Sequence, residues 1–336
     1  MLVFLTHGPD ALANYYGERA LAELQSVCDV RLNDTDEVLK TSEVIERAAG
    51  CDLVVSYRNT PAPAEIFQNL PDLVAWMRCA VDIRNIDVEA ASANGVLVTQ
   101  ASPGFTESVS ELVVGMMIDL ARGTSGYAAA YHAGNEPVAR SGMQLAGRQI
   151  GILGYGTIGR YLAELALALG MKVAVSDPFA SVEDSRIRQC SMPDLLETSD
   201  FTVCLVVANE ETENLIDGPA FSAMKPGAFF INPSRGNLVD EQALEDALAS
   251  GHLGGAALDV GRAPDQMPSP HLARLPNVIA TPHIGGLTPD AIEAQSLETV
   301  EQVRALIAGK IPHGAVNAAA ASRLERIGIT PPAPDN

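Results

Sequence analysis

The stretch Gln149-Ile150-Gly151-Ile152-Leu153-Gly154-Tyr155-Gly156-Thr157-Ile158-Gly159 lies near the middle of the chain, not at its start. A short apolar run, Ile150 to Leu153, enters a Gly-x-Gly-x-x-Gly turn at Gly154, Gly156 and Gly159. Apolar residues at helical spacing leave it (Tyr161, Leu162, Leu165, Ala166, Leu169), and then come Gly170, a second apolar run Val173-Ala174-Val175, and Asp177. Strand, glycine turn, helix, strand and acid in one register form the pattern of a dinucleotide-binding unit. Gly154 permits the tight turn, Gly156 lets the backbone approach a pyrophosphate, and Gly159 lets the helix pack close to the strand. The helix that opens at Thr157 and Ile158 offers unpaired N–H groups and the positive end of its dipole to the phosphates. Asp177 follows Gly159 by 18 residues and stands where an acid accepts hydrogen bonds from the adenosine ribose hydroxyls. An acid with no Arg directly after it favours NAD(H) over NADP(H), while Arg186 and Arg188 leave the second open.

The chain of 336 residues has material for two domains of ordinary size. Its balance of 47% hydrophobic and 19% charged residues is that of a globular protein. No uncharged apolar stretch approaches the ~20 residues of a membrane span. The run Met1-Leu2-Val3-Phe4-Leu5-Thr6-His7-Gly8 lacks a basic n-region and reads as a first strand, not a signal peptide. Cys28, Cys51, Cys79, Cys190 and Cys204 are odd in number and show no Cys-x-x-Cys spacing, which points to buried thiols in a reducing cytoplasm. A net charge of −20 argues against nucleic acid and anionic membranes as partners. An anionic substrate would need local positive groups against that background.

Residues 2–100 read as alternating strands and helices: strands at Val3 to Thr6, Leu53 to Ser56, Leu73 to Met77 and Val96 to Thr99, and a helix from Tyr15 to Val27. A helical stripe runs from Thr106 to Arg122 through Val109, Leu112, Val113, Met116, Met117 and Leu120. A second βα series spans 149–281, with strands near Ile150, Val173, Phe201 to Val206, Ala228 to Ile231, Ala256 to Leu258 and Val278 to Ala280. Thr288 and Pro289 supply the N-cap and N1 of a last helix that ends near Gly309. The tail from Ile329 to Pro334 reads as frayed. The expected fold is α/β with parallel sheets, and the last helix has no strands after it, so it can return to the first domain. Ligands then bind in a cleft at the carboxyl ends of strands.

Three strand ends carry chemistry. They are Asn232-Pro233-Ser234-Arg235-Gly236, Leu258-Asp259-Val260 and Thr281-Pro282-His283-Ile284-Gly285-Gly286. Arg235 can fork onto a carboxylate, and His283 can carry a proton near neutral pH. The plain alternatives are a surface ion pair, a turn Asp and a His near a helix cap; the three together, after a cofactor fingerprint, favour function.

These segments, with Ser108-Val109-Ser110-Glu111-Leu112 and Met224-Lys225-Pro226-Gly227, resemble the D-isomer-specific 2-hydroxyacid dehydrogenases. The resemblance covers most of the chain. It implies two Rossmann-like domains, an NAD-binding domain at 102–288 inserted into a discontinuous substrate domain at 1–101 and 289–336. It also implies a homodimer, with the 106–122 helix at its interface, against a reading of that helix as simple core. Arg235 matches the family Arg that grips the substrate carboxylate and carbonyl, and His283 the acid/base of hydride exchange with a small 2-keto or 2-hydroxy acid. Asp259 matches the acid near the nicotinamide carboxamide, and Val207, Ser234 and Gly285 fall in the cofactor-binding segments. Val81, Asp82 and Arg84 fall in the substrate-binding segment, and Arg58, at the end of another strand, can add a cationic contact.

The departures face the substrate. The family has a Glu five residues after the Asp that hydrogen-bonds the catalytic His; Pro264 occupies that place here, with Asp265 and Gln266 beside it. Asp265 is the candidate third catalytic residue. Ala80 and Asp82 stand where a glycine-rich loop holds the substrate carboxylate, and Arg84 stands in place of an Asp. An Asp beside a carboxylate is unfavourable unless Arg84 or Arg78 offsets it; an Asp82–Arg84 turn is the structural reading. Leu205-Val206-Val207-Ala208-Asn209 departs from a His-x-Pro-x-Thr pattern near the cofactor. The reading is a divergent NAD(H)-dependent dehydrogenase with a non-standard keto acid. The alternative is a dinucleotide-binding regulator of the same fold with weakened catalysis.

Overall fold

The computed structural model describes residues 1–333. The chain forms two compact units, Met1–Gly104 together with the segment from Pro289 on, and Phe105–Thr288. The first unit holds β1 (Leu2–Leu5), β2 (Asp29–Leu32), β3 (Leu53–Ser56), β4 (Ala75–Arg78) and β5 (Leu97–Thr99). They pair in parallel in the order β2-β1-β3-β4-β5. β3 and β4 are buried along their whole length, as parallel strands covered on both faces must be. β2 escapes the sequence reading because it is an edge strand of sequence Asp-Val-Arg-Leu, exposed at both ends.

The expected helix from Tyr15 to Val27 is instead two, Pro9–Tyr15 and Glu18–Val27. Gly17 takes φ 87° between them, a conformation only glycine adopts readily. The break drives the Tyr16 ring into the core, where its hydroxyl bonds that of Thr299 at 3.0 Å. Thr299 lies on the last helix, Pro289–Ile307, whose Val300, Val303 and Leu306 share one apolar cluster with Val3, Leu5 and Leu53. Ile329 packs into the same cluster and its N–H bonds Leu324 O at 3.1 Å, so fraying does not begin there. Pro334, at the end of that expected tail, lies outside the described residues.

The second unit holds β6 (Gln149–Leu153), β7 (Lys172–Ser176), β8 (Ile187–Gln189), β9 (Phe201–Cys204), β10 (Phe229–Asn232), β11 (Gly255–Leu258) and β12 (Val278–Ala280). They form one parallel sheet in the order β12-β11-β10-β9-β6-β7-β8. Chain direction across the sheet reverses between β6 and β9, the switch point where such sheets bind ligands. The helix Thr106–Arg122 buries Val113, Met116, Met117 and Ala121 with Ile150, Leu162 and Ala166. Core packing within this unit therefore accounts for much of its apolar stripe. Its outer side leaves Ile118 exposed, and Glu111 and Val114 join Leu165, Ala168 and Leu169 in an apolar groove.

In the first unit, His7 follows β1 and is only 1% exposed. Its ring lies between those of Tyr16 and Tyr57, with centroids 5.1 and 5.2 Å away, and neither nitrogen has a hydrogen-bond partner among the described residues. Burial, then the nearby Arg78 charge, push its pKa down to about 3. The unfolded chain protonates this histidine near 6.5, so between those values the unfolded state holds the extra proton. Stability is therefore complete above pH 6.5 and declines as pH falls, by about 1.4 kcal/mol per pH unit from this group alone. His7→Phe, which keeps the ring packing, should flatten the decline in urea-unfolding free energy between pH 6.5 and 4.5 by about that slope. Parallel slopes for the two proteins would show that His7 is not the acid-sensitive group.

Candidate active site

The three glycines of the turn after β6 do different work. Gly154 has φ 94°, and a Cβ there would stand 2.7 Å from Leu205 O. A Cβ at Gly159 would stand 2.3 Å from Gly154 O, so the helix Thr157–Ala168 can pack this close only without one. At Gly156 no described atom lies within 4 Å of a Cβ position. That open side, at the head of a helix whose N-cap makes no side-chain hydrogen bond, leaves the first-turn N–H groups, including those of Thr157 and Ile158, for a phosphate. The cradle fits a dinucleotide pyrophosphate.

Asp177 directly follows β7, beside this turn. Its Oδ2 accepts from Tyr155 N at 2.6 Å, and Oδ1 from Phe179 N at 2.8 Å and Ala180 N at 3.1 Å. Partial burial alone would raise its pKa, but those backbone donors and the Arg160 charge more than offset this and hold it below the usual carboxylate range. It is a fixed anion. Arg186 and Arg188, the two cations that left NADP(H) open, are engaged by Asp184 and Asp194. Val207 is 78% exposed after β9, and the Ser234 hydroxyl donates to Val206 O at 2.8 Å, tying the segments after β9 and β10 together.

Arg235, Asp259 and His283 follow β10, β11 and β12. The Asn232 side chain shapes the first segment, donating to Arg235 O at 2.9 Å and accepting from Ser234 N at 3.0 Å, and Arg235 Nη1 donates to Ser234 O at 2.8 Å. Asp259 is buried, 1% exposed. Its Oδ1 accepts from Thr281 Oγ1 at 2.6 Å and Ile284 N at 2.8 Å, and its Oδ2 from Gly285 N at 2.7 Å. A Cβ at Gly285 would lie 2.9 Å from that Oδ2. Asp259 and Gly285, read from sequence as cofactor contacts, thus anchor the loop that carries His283.

Near His283, Asp265 presents its main chain: His283 Nδ1 lies 2.9 Å from Asp265 O. Gln266, the other candidate, has its Oε1 buried with no hydrogen-bond partner among the described residues.

In the first unit, Arg84 and Asp82 pair with each other through Arg84 Nε, at 3.0 and 3.1 Å, and Nη2, at 2.7 Å. The turn reading of these two residues is the one seen, so the Arg84 charge is already matched. Val81 sits half-buried in the same turn. Arg58 is half-buried after β3, its guanidinium 5.3 Å from the Tyr15 ring centre. Arg78, fully buried at the end of β4, donates to Tyr57 O, Thr60 O and Asn85 Oδ1 and so joins the segments after β3 and β4. Burial pushes its pKa down to about 10. His7 and Tyr57 meet at this sheet's own switch point, between β1 and β3. Sequence reasoning missed His7, whose only signal was a polar residue ending the first apolar run.

Over residues 114–285 the chain matches the family model described as D-isomer specific 2-hydroxyacid dehydrogenase, NAD binding domain. It is 35% identical over 298 residues to the (S)-sulfolactate dehydrogenase of Chromohalobacter salexigens, covering 87% of this chain and 96% of that protein. It is 32% identical over 277 residues to the hydroxypyruvate reductase of Thermotoga maritima, covering 81% and 90%. The solved structure of D-lactate dehydrogenase from Aquifex aeolicus, complexed with NAD and lactic acid, superposes with a TM-score of 0.77 at 25% identity, covering 94% of this chain and 99% of that one. The chain belongs to the D-isomer specific 2-hydroxyacid dehydrogenase family and is an NAD-dependent dehydrogenase. Among the described residues no helix is long and apolar enough to cross a membrane.

Asp259→Asn puts an amide NH₂ against an N–H or O–H donor. It should cost about 1–3 kcal/mol of stability for the broken buried bonds and loosen the His283 loop, while NADH binding at the glycine turn persists. Urea unfolding and NADH fluorescence titration check the two parts. Unchanged stability would mean that Asp259 does not anchor the loop.

Proposed function

We propose that the protein interconverts a 2-keto acid and a D-2-hydroxy acid with NAD(H). The observation that carries this reading is the order of residues along one sheet edge. Because all strands of the second unit are parallel, Asp177, Gly154, Val207, Arg235, Asp259 and His283 follow β7, β6, β9, β10, β11 and β12, which are neighbours in that order. At about 4.8 Å per strand the row is roughly 24 Å long, with a ribose-binding acid at one end and a proton carrier at the other. Gly154, Gly156, Thr157, Ile158, Gly159 and Asp177 hold the adenosine and pyrophosphate, and Val207, Ser234 and Gly285 line the rest of the cofactor's path. Bound there, the nicotinamide supplies or accepts a hydride at the substrate C2.

Arg235 grips the carboxylate through a two-pronged guanidinium contact and stabilises charge as it grows on the carbonyl oxygen. His283 donates the proton to that oxygen, and takes it back in the oxidising direction. The resemblance to the family gives Val81, Asp82 and Arg84 as the substrate-binding candidates of the first unit, with Arg58 added from the end of another strand. We favour an acid with a second anionic group at C3, as the similarity to a sulfolactate dehydrogenase suggests. The exposed side of the helix Thr106–Arg122 suits a homodimer, and five free cysteines suit a reducing cytoplasm.

Stopped-time NADH oxidation assays with a panel of 2-keto acids test the reading. Acids bearing a 3-sulfo or 3-phosphooxy group should outpace pyruvate, glyoxylate and hydroxypyruvate; the reverse order rejects the dianion. His283→Ala should lower kcat by about 10²–10⁴-fold. NADH bound with no turnover of any acid would instead favour the regulator. A 2′-phosphate placed beside the Asp177 carboxylate meets about 1 kcal/mol of repulsion or more, so NADH should outperform NADPH by on the order of tenfold, and Asp177→Ala should narrow the gap.

A further inference from the structure

Pro264 stands where the family has the Glu that orients the catalytic histidine, and it offers no side-chain acceptor. His283 Nδ1 faces the main-chain carbonyl oxygen of Asp265 at 2.9 Å. A carbonyl oxygen only accepts, so Nδ1 must carry hydrogen whether the ring is neutral or protonated. We propose that the Asp265 peptide carbonyl is the positioning group of this enzyme: it replaces a carboxylate, fixes His283 as the Nδ1–H tautomer and leaves Nε2 as the nitrogen that exchanges protons. The proposal rests on the reading of His283 as acid/base given above. In the reducing direction the Nε2–H bond breaks, an O–H bond forms on the substrate oxygen, and the imidazolium becomes a neutral ring that keeps its Nδ1 hydrogen.

Both ends of this hydrogen bond are held by separate devices. On the donor side, His283 N donates to Asp259 O at 3.0 Å, and the buried Asp259 carboxylate grips the residues on either side. On the acceptor side, residues 261–267 form a compact turn through Gly261 N to Gln266 O at 2.8 Å and Ala263 N to Met267 O at 3.1 Å. Arg262 clamps its outer side by pairing with Glu213 at 2.9 Å and donating to Asn214 Oδ1 at 2.6 Å and Val239 O at 3.1 Å. Its base lies against the Arg235 segment, where a Cβ at Gly236 would stand 2.1 Å from the Gly261 carbonyl carbon.

The strain falls on the same residues. Asp265, Gln266 and His283 have φ of 55°, 57° and 56°, three of only four non-glycine residues in the left-handed region among those described. Left-handed backbone is disfavoured for residues with a Cβ, and such outliers persist where the surroundings over-determine them. Here they turn the Asp265 carbonyl toward the imidazole and the imidazole toward the carbonyl. What this hydrogen bond asks of residue 265 is a backbone φ near 55°.

Substitutions at 265 separate backbone from side chain. Asp265→Gly and Asp265→Asn both tolerate left-handed φ and keep the carbonyl, whereas the β-branched Asp265→Val does not tolerate it. We expect kcat of the Val variant to fall roughly tenfold or more below that of the Gly variant, with KM little separated between the two. Nitrogen-15 NMR of neutral His283 should show hydrogen on Nδ1 in the wild type and in the Gly and Asn variants, and mixed tautomers in Val. An Nε2–H tautomer in the wild type would overturn the proposal. So would equal kcat in the Gly and Val variants, since the carboxylate would then be the active part. The NMR signature needs no substrate. A wild type that binds NADH, shows Nδ1–H and turns over no acid would reject the dehydrogenase reading and leave the positioning group standing.

Discussion

Parallel pairing is the constraint on which the rest depends. Every strand of both sheets runs in the same direction as its neighbours, so every loop that follows a strand emerges on one edge. Residues far apart in sequence, from Gly154 to His283, are thereby set in a single row. The order of that row is not the order of the chain. It follows from the reversal at β6, which sends β7 and β8 to one side and β9 to β12 to the other. The glycine turn falls at the reversal, where two neighbouring loops diverge and leave room.

Within that row the electrostatics are divided between an anion that is open to a ligand and one that is not. Asp177 is partly exposed and stabilised as a carboxylate by three backbone N–H donors, which hold it in place. Asp259 is closed off, and its charge is matched by the donors of the His283 loop. A buried charge left unmatched would be strongly destabilising, which makes that loop's conformation obligatory once β11 and β12 pair. In the first unit Arg78 is buried and donates to carbonyl oxygens, while Arg58 is half-buried beside the Tyr15 ring. Arg84 looks on paper like a third cation for an anionic substrate, but it is already matched by Asp82 two residues away.

Much of the fold was legible because its signals are local. Central strands such as β3 and β6 are apolar runs, and the long helices carry their periodicity from end to end. The helix Thr106–Arg122 and the start of the last helix at Pro289 were readable from spacing and capping alone. The failures have a common physical cause. β2 and β8 are edge strands with charged residues, stabilised by one neighbour and not by burial on two faces. The break at Tyr16-Gly17 was hidden because the apolar pattern continues across it; only the demand to bury the Tyr16 ring against Thr299 forces the turn.

By itself the sequence determined the cofactor class and the parallel α/β architecture, and it set Arg235, Asp259 and His283 just after strand ends, since each rests on residue type at fixed spacing. Tertiary structure alone decided what those residues do for one another. Asp259 proved to be an anchor because its burial and its three donors come from another strand's loop. The partner of His283 is a main-chain carbonyl, and every residue has one, so no residue type announces it. What selects the Asp265 carbonyl is a left-handed turn held by Arg262, Gly261 and the close passage of Gly236, contacts that exist only once four separate segments of the chain have come together.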